Sequence, residues 1–162
     1  MYIRHTQPED IDRLLAIYQE ARTFMIQQGN PTQWTHGYPA KDLLMQDIRK
    51  SNSYVCIEKD RIVGTFAFII GEDPTYQVIE NGAWHAAKEY GTIHRAASDG
   101  TIKGLTKYIF DFCTAKKDYV RIDTHQDNLP MQNAIKRYGF RPCGIIHVAD
   151  GSPRIAFDYI KE

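Results

Sequence analysis

A chain of 162 residues, 43% hydrophobic and 25% charged, can bury a core without disulfides or metal and is too apolar to be disordered. Its 20 Lys and Arg balance 20 Asp and Glu, which argues against a general nucleic-acid binder, although a local basic patch would not show in that sum. No apolar run approaches a membrane span and the opening MYIRHTQPED carries no apolar signal segment. Cys56, Cys113 and Cys143 have no CxxC spacing. They read as reduced thiols of a cytoplasmic protein, and no metal site is expected. The expectation is one domain over residues 1–162.

Taken in order, Tyr2 to His5 is a short strand, and Thr6-x-x-Glu9 has the form of a capping box. It opens a helix whose mostly apolar stripe is Ile11, Leu14, Leu15, Tyr18, Ala21, Arg22 and Met25, and which ends by Gly29. The stretch NPTQWTHGYPAKD is an exposed loop. Trp34 and Tyr38 within it either anchor the loop or line a pocket. A helix follows at about Ala40 to Lys50. Ser53–Lys59 and Arg61–Ile70 are strands joined by a tight turn at Asp60. Residues 72–88 carry Tyr76, Ile79 and Trp84, which suit either a segment packed on the sheet or a pocket wall.

The stretch from Tyr90 to Phe112 organises the rest. Tyr90 to Ala97 is a strand, Gly100 and Gly104 punctuate a turn, and Leu105, Tyr108, Ile109 and Phe112 recur at helical spacing. The N–H groups at a helix start lack internal partners and sit in positive potential, so a glycine-bearing turn there can hold an anion. It can equally be an ordinary strand-to-helix connection. Tyr119 to His125 is a strand with Val120 and Ile122 alternating against polar residues. Asn128 to Tyr138 is a helix, with Asn128 at its N-cap, Pro130 in its first turn and Gly139-Phe140 at its end. Strands at Cys143–Val148 and Arg154–Ile160 close the chain around the turn at 150–153.

This order of elements and these motifs resemble the GNAT superfamily of acyl-CoA N-acyltransferases. The superfamily holds the cofactor pyrophosphate on backbone amides of a motif of Gln or Arg, two residues, Gly, one residue, then Gly or Ala. Registered on Gly104, Thr101 and Thr106 stand at the outer positions, a departure at both. An Asn eleven residues before Gly-Phe contacts the pantetheine arm in the family, and Asn128 and Gly139-Phe140 have that separation. The family's tyrosine acid, seven residues after the Asn, is here Ile135, and Tyr138 is the nearest phenol.

The resemblance implies an α/β (α+β) fold, a mixed and mainly antiparallel sheet with helices on both faces. It implies acetyl-CoA as cofactor and acetyl transfer to a primary amine by direct attack in a ternary complex. The cofactor contacts would be Ala96, Ala97, Ser98, Thr101, Ile102, Lys103, Gly104, Leu105, Thr106 and Asn128. Trp34, Tyr38, Tyr76 and Trp84 would face the acceptor, a small molecule or a peptide. His125 and His94 are the candidate bases by intrinsic pKa, with Glu72, Glu80 and Glu89 as carboxylate options; the other reading of His125 is a loop histidine bonded to backbone. The alternative is an acyl-CoA-binding sensor or interaction module without turnover. No nucleic acid or membrane partner is implied, and a homodimer is compatible with the resemblance.

Overall fold

The computed structural model describes residues 1–162. Seven strands form one sheet: β1 (Tyr2–His5), β2 (Ser53–Glu58), β3 (Arg61–Ile70), β4 (Gly91–Ser98), β5 (Tyr119–Thr124), β6 (Arg141–His147) and β7 (Pro153–Ile160). Their spatial order is β1-β2-β3-β4-β5-β7-β6. Every neighbouring pair is antiparallel except β4 and β5. A parallel pair needs a crossover, and it is supplied by α3 (Leu105–Lys116). The other helices are α1 (Ile11–Gln27), α2 (Lys41–Arg49) and α4 (Leu129–Tyr138). None is long and apolar enough to cross a membrane.

Strand alternation assigns the two faces of the sheet. Tyr54 and Cys56 join Ile93, Ile122 and Phe157 under α3 and α4, where Ile109, Phe110 and Ile135 complete the largest core. Val55 and Ile57 point the other way and meet Leu14, Ile17 and Tyr18 of α1 and Leu44 of α2. Past β4 that second face has no α-helix. There the segment between β3 and β4 folds down, and Tyr76 packs with Tyr90, Tyr119, Ile146 and Ala156.

The expected elements are present with small shifts, and one local expectation fails. Thr6 does not cap α1. Its amide donates to the Ser53 carbonyl at 3.0 Å, extending the β1–β2 ladder, and its hydroxyl accepts from Ser53 Oγ at 2.7 Å. The carboxylate that reaches back is Asp10, which accepts from the Gln7 amide at 2.8 Å. A buried hydroxyl partner on the neighbouring strand displaces the local cap.

Two irregularities shape the centre of the sheet. Residue pairing between β4 and β5 covers only Gly91↔Val120, Thr92↔Arg121 and Ile93↔Ile122, and beyond it the strands part. On its other side β4 bulges: Thr65 faces Ala97 and Ala67 faces His94, so Arg95 and Ala96 together oppose Phe66. Arg95 takes φ 54, a costly conformation for a residue with a long side chain. Two contacts hold it. Tyr18 Oη donates to the Arg95 carbonyl at 2.7 Å, and the guanidinium forms a bidentate pair with Asp47 at 2.9 Å for both bonds. Both partners are nearly buried, each 9% exposed. Asp47→Ala leaves that guanidinium buried and uncompensated. Urea unfolding should show a stability loss of about 3–5 kcal/mol, and a loss no larger than that of an exposed ion pair would remove Asp47 as the clamp of the bulge.

Candidate functional site

Where β4 and β5 part, two cavities open and meet. The larger, about 720 Å³, lies on the α1 side of the sheet among the 33–38 loop, β4, β5, the segment from Gly71 to Thr75 and the turn before β7. The smaller, about 300 Å³, runs between α1, the Ala96–Gly100 stretch, the start of α3 and the start of α4. Met25, Ala96, Asn128 and Met131 line both. The bulge thus presents Ala96 at the junction, and the N-cap residue of α4 stands opposite.

The smaller cleft ends in a preordered turn. Ser98 Oγ accepts from the Gly100 amide at 3.1 Å, and Asp99 accepts from the amide and hydroxyl of Thr101 at 3.0 and 2.6 Å. Burial would raise the Asp99 carboxyl, but the bonds from Thr101, aided by Arg13 and Arg61, keep it low and ionised. Gly104 then takes φ 77 as the N-cap of α3, and no side chain caps that helix. A left-handed residue is tolerated there because it is glycine. The first-turn amides of α3 keep their unspent donors and positive potential, a seat for an anion such as a pyrophosphate. The cleft also contains Asn30, whose buried Oδ1 has no hydrogen-bond partner.

In the larger cavity His94 Nε2 meets Asp73 Oδ2 at 2.7 Å. Burial would raise the Asp73 carboxyl, but hydrogen bonds from His94 and Thr75 outweigh it and hold it at about 2. Asp73 is therefore ionised and accepts Nε2–H, and no hydrogen bond engages Nδ1. Beside this pair, Asp123 Oδ2 accepts from Tyr76 Oη at 2.5 Å. Burial pushes the Asp123 carboxyl up, against the opposing charges of His94 and Arg154.

The two histidines expected as bases are placed differently. His94 lines the larger cavity, whereas His125 lines neither. His125 Nδ1 accepts from the Asp127 amide at 3.0 Å, and Nε2 meets Thr32 Oγ1 at 3.0 Å, so both ring nitrogens are occupied. Burial, reinforced by the charge of Arg154, lowers its pKa. Trp34 and Tyr38 line the larger cavity, and Glu72 does too. Tyr76 and Trp84 do not line it. Tyr76 is 1% exposed and acts through its hydroxyl on Asp123, while Trp84 donates Nε1–H to the Tyr76 carbonyl at 3.0 Å and stacks on the Arg121 guanidinium. Ala96, Ala97, Ser98, Leu105, Thr106 and Asn128 all line the smaller cleft. Thr101, Ile102, Lys103 and Gly104 form the turn between its wall residues Gly100 and Leu105.

Asn128 is more committed than its motif suggests. Its Oδ1 accepts from the Met131 amide at 3.1 Å, and Nδ2 donates to Gln33 Oε1 at 2.9 Å. Gln33 also accepts from Asn30 Nδ2 at 2.8 Å, and its carbonyl accepts from Arg154 at 3.0 Å. Neither Gln33, Asp73, Asp123 nor Arg154 stands out in the sequence. A usable signal existed for one of them: period two places Arg121 and Asp123 on one face of a central strand, where polar side chains are unusual. Tyr138 faces away from both cavities. Its hydroxyl donates to Asp111 Oδ1 at 2.8 Å, its ring packs with Phe110, Phe140 and Tyr159, and burial raises its pKa to about 12. Ile135 is 0% exposed, in the core. Of α4, only Pro130, Met131 and Ala134 reach the cleft beyond the N-cap, and none can donate a proton.

A separate polar cluster lies outside the cavities. Asp158 bonds His85 Nδ1 at 2.6 Å, the His85 amide at 2.8 Å and Tyr119 Oη at 2.8 Å, and Cys143 Sγ is 3.4 Å from His85 Nδ1. It pins residues 84–86 to the sheet and thereby fixes the wall that carries Tyr76.

Comparisons with known proteins fit this architecture. Residues 1–141 match a family profile described as an acetyltransferase (GNAT) domain. A GNAT-family acetyltransferase structure from Streptococcus agalactiae is 30% identical with TM-score 0.91, covering 99% of this chain and 95% of that one. A putative acetyltransferase structure from Staphylococcus aureus is 23% identical with TM-score 0.70, covering 99% of both chains. The structure of GphF, a GNAT-like decarboxylase in complex with isobutyryl-CoA, is 16% identical with TM-score 0.69, again covering 99% of both. A comparison with functionally curated proteins yields no match. The profile match, the shared topology and the paired cavities lead to one conclusion: this chain belongs to the GNAT acetyltransferase family, whose members bind acyl-CoA.

Proposed function

We propose that the protein is an acetyl-CoA-dependent N-acetyltransferase that acts on a primary amine held in the larger cavity, in a ternary complex with the acyl donor. The observation that carries this reading is the junction of the two cavities at Ala96 and Asn128, with the free Nδ1 of His94 in the wall of the larger one. The small cleft fits acyl-CoA by its unspent polar groups: the amide donors of an uncapped helix start behind a left-handed glycine, and the unpartnered acceptor Asn30 Oδ1. Ala96 to Ser98, the turn Thr101 to Gly104, Leu105, Thr106 and Asn128 would hold it. When bound, it supplies an activated acyl thioester.

The chain's own contribution is positioning and proton traffic. An ammonium cannot attack a carbonyl, so the acceptor must lose a proton, and His94 Nδ1 takes it as general base. Asp73 holds the imidazole in that tautomer and stabilises the imidazolium as it forms. Trp34 and Tyr38 shape the acceptor side. Tyr138 is no candidate for the acid, because its hydroxyl is spent on Asp111. With no proton donor on the cleft face of α4, solvent protonates the departing thiolate. That same lack favours the second reading, an acyl-CoA-binding module without turnover. Thiol release from acetyl-CoA across a panel of amines separates the two: release with any amine supports transfer, and tight binding without release supports the module.

Three measurements test the parts. Gly104→Val introduces a branched residue at φ 77, where an added Cβ meets no atom within 4 Å, so the fold survives with local strain of about 1–2 kcal/mol. Calorimetry should show acetyl-CoA affinity falling at least about ten-fold; unchanged affinity in a folded variant would remove the turn from the site. His94→Gln should lower kcat by about 100-fold or more with acetyl-CoA affinity kept, while His125→Gln stays within a few-fold; the reverse ranking would make His125 the base. The His94–Asp73 bond also predicts an acid dependence of stability. Asp73 has its carboxyl depressed to about 2 from an ordinary 3.8. Its contribution is full above pH about 4 and is lost as pH falls toward 2. The stability difference between the parent and Asp73→Asn should therefore shrink over that window, and a difference independent of pH would mean that Asp73 is not held by charge.

A further inference from the structure

Two arginines line the larger cavity, and they differ in one respect. Arg95 is paired with Asp47 on both edges of a bidentate contact. Arg154 is 6% exposed and has no carboxylate within ion-pair distance. Its partners are neutral: Nη1 donates to Ser152 Oγ at 3.2 Å and to the Pro153 carbonyl at 2.8 Å, and Nη2 donates to the Gln33 carbonyl at 3.0 Å. A guanidinium has five N–H donors, so Nε–H and one hydrogen on Nη2 remain unspent. An acid is reached only by relay, since Ser152 Oγ donates to the exposed Asp150. Burying a cation costs several kcal/mol unless an anion compensates it. The fold itself supplies no such anion to Arg154.

An anion close by stays out of contact. Asp123 lies opposite Ala156 on the neighbouring strand, and Arg154 is two residues along from Ala156, on the same face. The two are diagonal neighbours with roots about 7–8 Å apart. Asp123 nevertheless bonds Tyr76, and Arg154 bonds the loop. Opposite charges on one cavity wall, each held off the other by a fixed partner, leave a gap with an anionic end and a cationic end. The same cavity wall also carries apolar residues, Trp34, Leu43, Ile69 and Val148 among them.

We infer that the acceptor is a free α-amino acid with an apolar side chain, its carboxylate bound by Arg154 and its amino group by Asp123 next to His94. This rests on the reading of the larger cavity as the acceptor site. The raised carboxyl pKa of Asp123 agrees with a group awaiting a cation. Arginine matches carboxylate geometry with two parallel N–H donors, and the two unspent donors of Arg154 are what such a contact uses. A peptide N-terminus has an amide where the carboxylate would be, and a simple amine has nothing, so both leave Arg154 unsatisfied.

The test compares L-methionine and L-phenylalanine with their amides and with the corresponding decarboxylated amines. Each is titrated calorimetrically into the full chain saturated with CoA, and thiol release from acetyl-CoA is measured in parallel. The acids should bind at least about 30-fold more tightly than their amides, the low end of losing a buried charge contact. Arg154→Gln should abolish that preference, and Arg154→Lys should restore part of it because the charge returns without the fork. Equal affinity of acid and amide in the parent chain overturns the proposal with no variant needed. So does a preference that survives Arg154→Gln, or no binding of either acid at millimolar concentration. Acid-selective, Arg154-dependent binding without thiol release supports Arg154 as the carboxylate site and overturns acetyl transfer. Thiol release with amides and amines as readily as with acids does the opposite.

Discussion

Parallel pairing that lasts for only three residues is the constraint on which this molecule depends. Up to Ile93 and Ile122, β4 and β5 share a ladder and bury their apolar face under α3 and α4. After that point β4 bulges and its backbone turns toward α1. The bulge persists because the cost of φ 54 at Arg95 is met by a bidentate ion pair and a tyrosine hydroxyl, both nearly dry. Without the parting there would be a closed seven-stranded sheet with no cleft. Without the bulge, Ala96 would not line both cavities.

Charge around the larger cavity is arranged by pairing. Asp73 holds His94, Asp47 holds Arg95, and Tyr76 holds Asp123. Each pair fixes the orientation of one group that faces the cavity. The first bears on the proposed chemistry because the carboxylate engages Nε2 and leaves Nδ1 without a partner. His125 shows the opposite case. It lies close in sequence to Asn128, yet the turn into α4 engages its Nδ1 and Thr32 of the loop after α1 engages its Nε2. A histidine beside the start of α4 is thereby a structural residue of the loop, whereas the one on the adjacent strand β4 keeps a ring nitrogen unengaged.

The start of α4 makes the link between the cavities. Asn128 caps the helix with its oxygen and ties to Gln33 with its nitrogen, and Gln33 in turn holds Asn30 and receives Arg154. One glutamine thus connects the 30–38 loop, α4 and β7. Position 135 contributes to the core instead of the cleft, where a fully buried isoleucine is worth about 1.5–3 kcal/mol.

Local rules were enough to read the strand-turn-helix after Tyr90, the N-cap at Asn128, the helix stop at Gly139 and the alternation of the strands, because each depends on residues within a turn or two of one another. From these the sequence alone determined the order of elements, the family resemblance and the glycine-bearing turn at the start of α3. Even locally there was a limit: Thr6 has the form of a cap, but Ser53 on another strand claims its hydroxyl. The tertiary structure decided everything that depends on partners far apart in the chain. Asp47 meets Arg95 across 48 residues, Tyr76 meets Asp123 across 47, and Gln33 meets Asn128 across 95. Whether a histidine is a base or a loop tie, and whether an arginine is paired or left open, turns on those distant partners. Hydrogen-bonding capacity is written in residue type, but the partner that spends it is chosen only when the sheet closes.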